Sequence, residues 1–296
     1  MKKIINSISI IVFSKDRPLQ LDGYLRSLLY FSDLDEKQIT VLYKDSNEIL
    51  YENLFGDYQF VNWIKEDKFM NNLTTVINNS SEYIMFGCDD VIFKDFIDIN
   101  YALNTMFDRK DLFGFSLRLG RNIKPSPKNI VVEPSHITWN WKANNLSSWN
   151  YPWELDSTIY RKEDVLDILS QLDEKKIKNP NFFESEIAGN LSNYIKLYKM
   201  AAFHKSKSIV VTVNRVQETF KNEFDDSLAT DVHSLYRIYL TGAKMDYLKI
   251  SEKSNKHIHV GAEYFKLTGT TNYQLNLIMR FQFYCKKLRN FLKRSI

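Results

Sequence analysis

The chain has 296 residues, 44% hydrophobic and 14% aromatic, which is enough for one large core or two modest ones. With 26% charged residues and no extended Gly, Ser or Pro tract, a disordered or low-complexity chain is excluded. The formal charge of +4 contains six cations, Arg280, Lys286, Lys287, Arg289, Lys293 and Arg294, in a closing segment without acids, so the remainder carries −2 and is not a basic nucleic-acid binder.

The N-terminus starts like a leader, but Ser7, Ser9, Ser14 and then Lys15-Asp16-Arg17 interrupt its apolar run. Ile8 to Phe13 is therefore read as a first strand, followed by Leu19, Leu21, Tyr24, Leu25, Leu28 and Leu29 at helical spacing behind Pro18. Ile39 to Tyr43 predicts a second strand stopping at Lys44-Asp45-Ser46-Asn47, Glu48 to Phe55 a short helix, and Phe60 to Ile64 a third strand. A helix over Asn72 to Asn79 leads into the strand Tyr83 to Phe86, which ends at Gly87-Cys88-Asp89-Asp90. Such alternation builds a mainly parallel sheet with helices on both faces, and ligands bind beyond the strands' carboxyl ends.

Phe113 to Leu119 predicts a further strand, and Pro125, Pro127 and Pro134 mark loops before a stretch rich in tryptophan, with Trp139, Trp141, Trp149 and Trp153. A strand at Ser157 to Tyr160, a helix from Lys162 to Leu172, a helix opened by Asn179-Pro180-Asn181 and running towards Tyr198, and a last core strand at Ile209 to Val213 follow. In the closing segment Leu277, Phe281, Tyr284, Leu288, Phe291 and Leu292 recur at helical spacing opposite Lys286, Arg289 and Lys293. This amphipathic basic helix suits an anionic membrane surface, or equally a face of its own protein or of a second copy.

No run approaches the roughly 18 apolar residues of a membrane span. The two cysteines, Cys88 and Cys285, fit neither a disulfide framework nor a zinc spacing. A cytoplasmic protein, at most peripheral on the inner face of the plasma membrane, is the expectation.

Two adjacent carboxylates at a strand end repel each other unless a cation or strong donors hold them. Asp89 and Asp90 either cap the turn or hold Mn²⁺ or Mg²⁺, hard cations that take carboxylate and phosphate oxygens together. Arg118 and Arg121, near a strand end, are either solvated or hold a diphosphate. Glu184 and Glu186 follow a helix start, about 200° apart around its axis, so at most one can serve as the base of a single site. Asn181-x-x-Glu184 also fits a capping box. Trp139, Trp141 and Trp153 are either core residues or an acceptor platform, and His257 and His259 either plain loop residues or further metal ligands.

Ser14-Lys15-Asp16-Arg17-Pro18, Lys44-Asp45-Ser46-Asn47-Glu48 and Phe86-Gly87-Cys88-Asp89-Asp90-Val91-Ile92-Phe93 resemble the donor half of GT-A-fold glycosyltransferases, including the family-2-like enzymes of bacterial surface-polysaccharide assembly. The resemblance implies residues 1–120 as the nucleotide-sugar-binding half, 121–265 as the acceptor-side half of the same domain, and 266–296 as the basic helix. It further implies donor contacts at Ser14, Asp16, Arg17, Asp45 and Asp89, with Asp45 on the nucleobase. Asp90 is implied as the metal ligand, and Glu184 rather than Glu186 as the base of an inverting transfer to a glycan or lipid-linked saccharide. Cys88 stands where many relatives have an acid, which weakens the case for a firmly held metal. A nucleotidyltransferase is the second enzymatic reading, although the first loop lacks the glycines it would need. A non-catalytic scaffold on the membrane is the third.

Overall fold

A computed structural model describes residues 7–46, 50–146, 148–213 and 232–269. The closing basic segment lies outside the described residues. In chain order the elements are β1 (Ile8–Lys15), α1 (Pro18–Tyr30), β2 (Ile39–Lys44), α2 (Glu52–Asp57), β3 (Asn62–Lys65), α3 (Phe69–Asn78), β4 (Tyr83–Cys88), β5 (Val91–Phe93), α4 (Ile99–Asp108) and β6 (Leu112–Ser116). Then come β7 (Val131–Val132), β8 (His136–Asn140), β9 (Thr158–Arg161), α5 (Lys162–Ser170), α6 (Pro180–Gly189), α7 (Leu191–Tyr194), β10 (Lys199–Phe203), β11 (Ser208–Val211), α8 (Val232–Leu240), β12 (Lys244–Met245), α9 (Tyr247–Ser251), β13 (His259–Val260) and β14 (Leu267–Thr268).

A mixed α/β fold results, with the mainly parallel sheet that the alternating pattern predicts. Nine strands lie in the order β3-β2-β1-β4-β9-β6-β10-β8-β7, and the pairings leave only β9 and β8 running against the rest. β1, buried along nearly its whole length, reads as a continuous apolar run because a central parallel strand is covered on both faces. Right-handed crossovers place α1 and α2 on one face and α3 on the other. In keeping with this, α1 packs with α8 and α9, while α3 packs with α5.

A second sheet of three strands, β13-β11-β5, stands beside the first. The chain passes from one sheet to the other at Asp89-Asp90, between β4 and β5. Asp89 donates its N–H to the Phe13 carbonyl at 3.2 Å, and the Asp90 carbonyl accepts from Val211 at 2.9 Å. The backbone of both sheets thus fixes the acid pair.

Several expectations are corrected. The helix opened by Asn179 stops at Gly189, with α7 as a separate short piece before the strand β10. The core strand expected at Ile209 is present and buried as β11, in the small sheet. Part of the Trp-rich stretch is the strand β8. The helix α4, capped by Asp98 accepting from the Tyr101 N–H, goes unread in the sequence because Asn100, Asn104 and Thr105 are weak helix formers.

Gly87 in β4 has no room for a side chain, since an added Cβ would lie 2.2 Å from the Tyr24 hydroxyl. Gly56 in α2 meets nothing within 4 Å. Gly87→Ala is expected to lower stability by about 1–3 kcal/mol through overpacking, whereas Gly56→Ala raises it by up to about 1 kcal/mol through helix propensity. Denaturant midpoints of the two variants check this, and equal midpoints would contradict the packing described at Tyr24.

Candidate active site

The carboxyl ends of β1 and β4 open onto a cleft of about 970 Å³. One wall carries Ser14, Arg17, Asp89 and Asp90, a second carries Glu184 of α6, and His259 of β13 also lines the cleft.

The first wall is built around Arg17, the residue just before α1. Its Nη1 lies 2.9 Å from Asp89 Oδ1 and 2.9 Å from Asp90 Oδ2. Asp89 Oδ2 accepts from Ser14 Oγ at 2.8 Å and from the Lys15 N–H at 3.3 Å. Tyr51 closes the back, its hydroxyl 2.8 Å from Ser14 Oγ and accepting the Arg17 N–H at 3.2 Å. Burial alone would lower the Arg17 pKa, but Asp89 and Asp90 outweigh it and raise the value. Burial, with the like charge of Asp90, pushes Asp89 up to about 6 against the pull of Arg17 and Ser14.

The loop entering this wall is turned by Asp16, whose φ of +57° is a left-handed conformation that aspartate tolerates. Its carboxylate accepts from the Ser46 N–H at 2.7 Å and from Ser46 Oγ at 2.9 Å. Asp45 accepts from the Leu50 N–H at 2.9 Å. Both acids thus brace the loops after β1 and β2.

The second wall is acidic. α6 is capped by Asn179, which accepts from the Phe182 N–H at 3.1 Å, so the expected box from Asn181 to Glu184 is not used. Phe183 anchors the helix, with its ring 5.4 Å from that of Trp153 and 6.0 Å from that of Phe86. Glu184 is consequently turned into the cleft. Burial, then the negative charge of Asp156, pushes it up to about 8 against the nearby Arg118 and a hydrogen bond from Tyr151. Arg118 Nη1 is 3.3 Å from Asp156 Oδ2, and its Nε is 3.6 Å from Glu154 Oε1. Glu154 also accepts from Thr158 Oγ1 and the Asp156 N–H. Cys88 donates to Asp156, and burial followed by the surrounding acids raises its thiol well above the ordinary value. It is therefore not a thiolate nucleophile.

Of the residues singled out in the sequence, Ser14, Arg17, Asp89, Asp90, Glu184 and His259 meet in one cleft. Others do not. Glu186 falls outside the cleft lining, as the helical rotation between it and Glu184 requires. Arg118 is buried as the counterion of Glu154 and Asp156 and is not presented to a diphosphate, while the exposed Arg121 lies away from the cleft. Trp139, Trp141 and Trp153 are 2%, 3% and 0% exposed, so they are core residues and not an acceptor platform. Trp139 donates to the Trp149 carbonyl and Trp141 to the Leu197 carbonyl, each at 2.9 Å. His257 is exposed and does not join His259.

Sequence reasoning missed Tyr51, Tyr151, Glu154 and Asp156. The available signal for the last two was Trp153-Glu154-Leu155-Asp156, two acids just ahead of a predicted strand.

Among the described residues there is no group of three or more His, Cys, Asp or Glu side chains placed to hold a metal. Asp89 has both oxygens engaged. Asp90 and His259, which both line the cleft, are the residues that would hold Mn²⁺ or Mg²⁺ together with phosphate oxygens, a donor set such hard cations accept.

Fold and cleft define a mixed α/β protein with a cleft lined by acids at the ends of parallel strands. No family model matches the sequence. The chain is similar to the bifunctional glycosyltransferase pgtA of Dictyostelium discoideum, 29% identical over 86% of this chain and 39% of that protein. It thus spans well under half the length of that relative. Among solved structures, S. aureus TarS 1-349 in complex with UDP-GlcNAc matches 82% of this chain and 69% of its own at 13% identity, with a TM-score of 0.45. Mannosyltransferase PcManGT from Pyrobaculum calidifontis, in complex with GDP-Man and Mn²⁺, matches 66% of this chain and 53% of its own at 10% identity, with a TM-score of 0.39.

The raised pKa of Glu184 has a consequence for stability. The ordinary value is 4.5 and the value in the fold about 8, so between these pH values the unfolded chain has lost the proton that the folded chain keeps. Stability therefore falls as pH rises through that window. Asp89 acts with the same sign between 3.8 and about 6. The wild-type Tm is expected to drop between pH 6 and 8, and the drop to be smaller in Glu184→Gln. Parallel pH profiles of the two proteins in calorimetry would contradict the burial of this carboxyl.

Proposed function

We propose that the protein is a glycosyltransferase that moves a sugar from a nucleotide-diphosphate donor to an acceptor hydroxyl, with inversion. The observation that carries this reading is the meeting of the Arg17-Asp89-Asp90 wall with a proton-binding carboxylate, Glu184, in one cleft at the ends of parallel strands. The similarity to a glycosyltransferase supports it. Ser14, Asp16, Arg17 and Asp89 shape the donor end, with Asp45 beside the nucleobase. Lys15, Lys44 and Lys178 also line the cleft and supply positive charge against a diphosphate.

In the reaction the acceptor oxygen forms its bond to the anomeric carbon as the bond to the diphosphate oxygen breaks. Glu184 takes the acceptor proton, and the electron pair leaves with the nucleoside diphosphate. A base must be ionised to act. With a value of about 8, Glu184 is mostly protonated at neutral pH. Transfer, read as kcat/KM, is expected to rise with pH, reach half its maximum near 8 and level off above that.

A glycan or lipid-linked saccharide is the proposed acceptor. The cations from Arg280 to Arg294 are proposed to bring the enzyme to an anionic membrane, a reading that rests on the sequence pattern.

A screen of nucleotide-sugars for binding by thermal shift, followed by transfer assays, tests the proposal. Glu184→Gln is expected to keep donor binding and to lose transfer by about 100-fold or more. Near-normal turnover in that variant would remove Glu184 from the mechanism. Deleting the chain from Asn272 is expected to weaken binding to vesicles of anionic lipid while leaving donor binding intact. Unchanged vesicle binding would remove the membrane role.

A further inference from the structure

A cation already sits between Asp89 and Asp90, and it is a side chain. One nitrogen of Arg17 bridges both carboxylates at 2.9 Å. Neither partner is free to leave easily. Arg17 is 8% exposed and Asp89 4%, and the Arg17 backbone is tied to Tyr51, which is itself hydrogen-bonded to Ser14. Among the described residues Arg17 Nε is buried without a hydrogen-bond partner, and the side-chain contacts of the guanidinium there are the two acids.

We propose that Arg17 is a built-in counter-cation that closes the Asp89-Asp90 pair to a free divalent ion, so that a cation enters this site only together with an anionic ligand. The charges carry the argument. With Arg17 in place the three groups sum to about −1, and a divalent ion would stand within a few ångströms of a fixed positive charge in a partly desolvated site, where repulsion is strong. Without Arg17 the pair presents −2 to the cleft, with His259 on the same cleft. A diphosphate supplies the missing negative charge and hydrogen-bond acceptors for the guanidinium, and so removes the obstacle. The inference concerns the empty protein and does not require sugar transfer to occur.

The test is calorimetric titration of Mn²⁺ alone into the full chain without nucleotide. Wild type is expected to show no binding in the submillimolar range. Arg17→Gln, which keeps a polar side chain but no charge, is expected to bind Mn²⁺ at least about tenfold more tightly, and Mn²⁺ should raise its Tm but not that of wild type. Adding Asp90→Asn to Arg17→Gln should abolish the new binding, which locates it. Nucleotide-free Mn²⁺ binding by wild type that is lost in Asp90→Asn overturns the proposal, and this measurement does not depend on an Arg17 variant folding. A folded Arg17→Gln that binds no Mn²⁺ overturns it as well. Absence of transferase activity would bear on the proposed reaction and leave these titrations as informative as before.

Discussion

Asp89 and Asp90 are neighbours in sequence at the passage between the two sheets, and each has an oxygen 2.9 Å from the same Arg17 nitrogen. Carboxylates removed from water cost several kcal/mol each unless paired and hydrogen-bonded. Here the pairing also joins the loop after β1 to the turn after β4, because Asp89 takes a second pair of hydrogen bonds from Ser14 and Lys15. Arg17 precedes Pro18, the first residue of α1, so the same interaction sets where that helix begins. Tyr51 holds the loop from behind. This end of the cleft is thus one connected set of charges and hydroxyls.

The opposite wall depends on a different balance. Arg118 stands against Glu154 and Asp156, with Glu184 close enough to feel all three. One positive charge cannot hold three ionised carboxyls in a buried setting, so a proton must remain in the group. Burial raises all three acids, and the charges of the others add to it. Arg118 is for this reason an interior counterion, where a strand-end arginine in the sequence reads equally well as a ligand contact. Its partners Glu154 and Asp156 lie more than 30 residues away in the chain, so no pattern around Arg118 itself reveals them.

This contrast explains what could be read from the sequence. The strands β1, β2 and β4 and the helix α1 carry their own periodicity, and Ser14, Arg17, Asp89 and Asp90 follow them directly, so that wall was legible. β9 inserts antiparallel between β4 and β6, bringing Asp156 to the cleft from a segment whose tryptophans drew attention instead. Tryptophans are read with equal ease as sugar platforms or as core, and burial decides for the core here. Helix rotation lets at most one of Glu184 and Glu186 face a given site, and the preference for Glu184 comes from the family resemblance alone. That Phe183, seated against Trp153 and Phe86, selects Glu184 needed the packing.

The two walls meet different requirements with the same means, an arginine among acids. At the β1 and β4 end Arg17 compensates two carboxylates whose geometry is fixed by backbone on both sides, which favours a site that keeps its shape until a ligand changes its charge. At the α6 end Arg118 undercompensates three, which leaves a proton on a carboxyl facing the cleft. A negatively charged ligand entering between them would act on both. It would satisfy Arg17, but its charge would also raise Glu184 further, away from the ionised form that a base needs. The lysines lining the cleft, Lys15, Lys44 and Lys178, oppose that second effect by screening the ligand's charge. The cleft's basic residues and its acidic ones thus bear on the same entering charge.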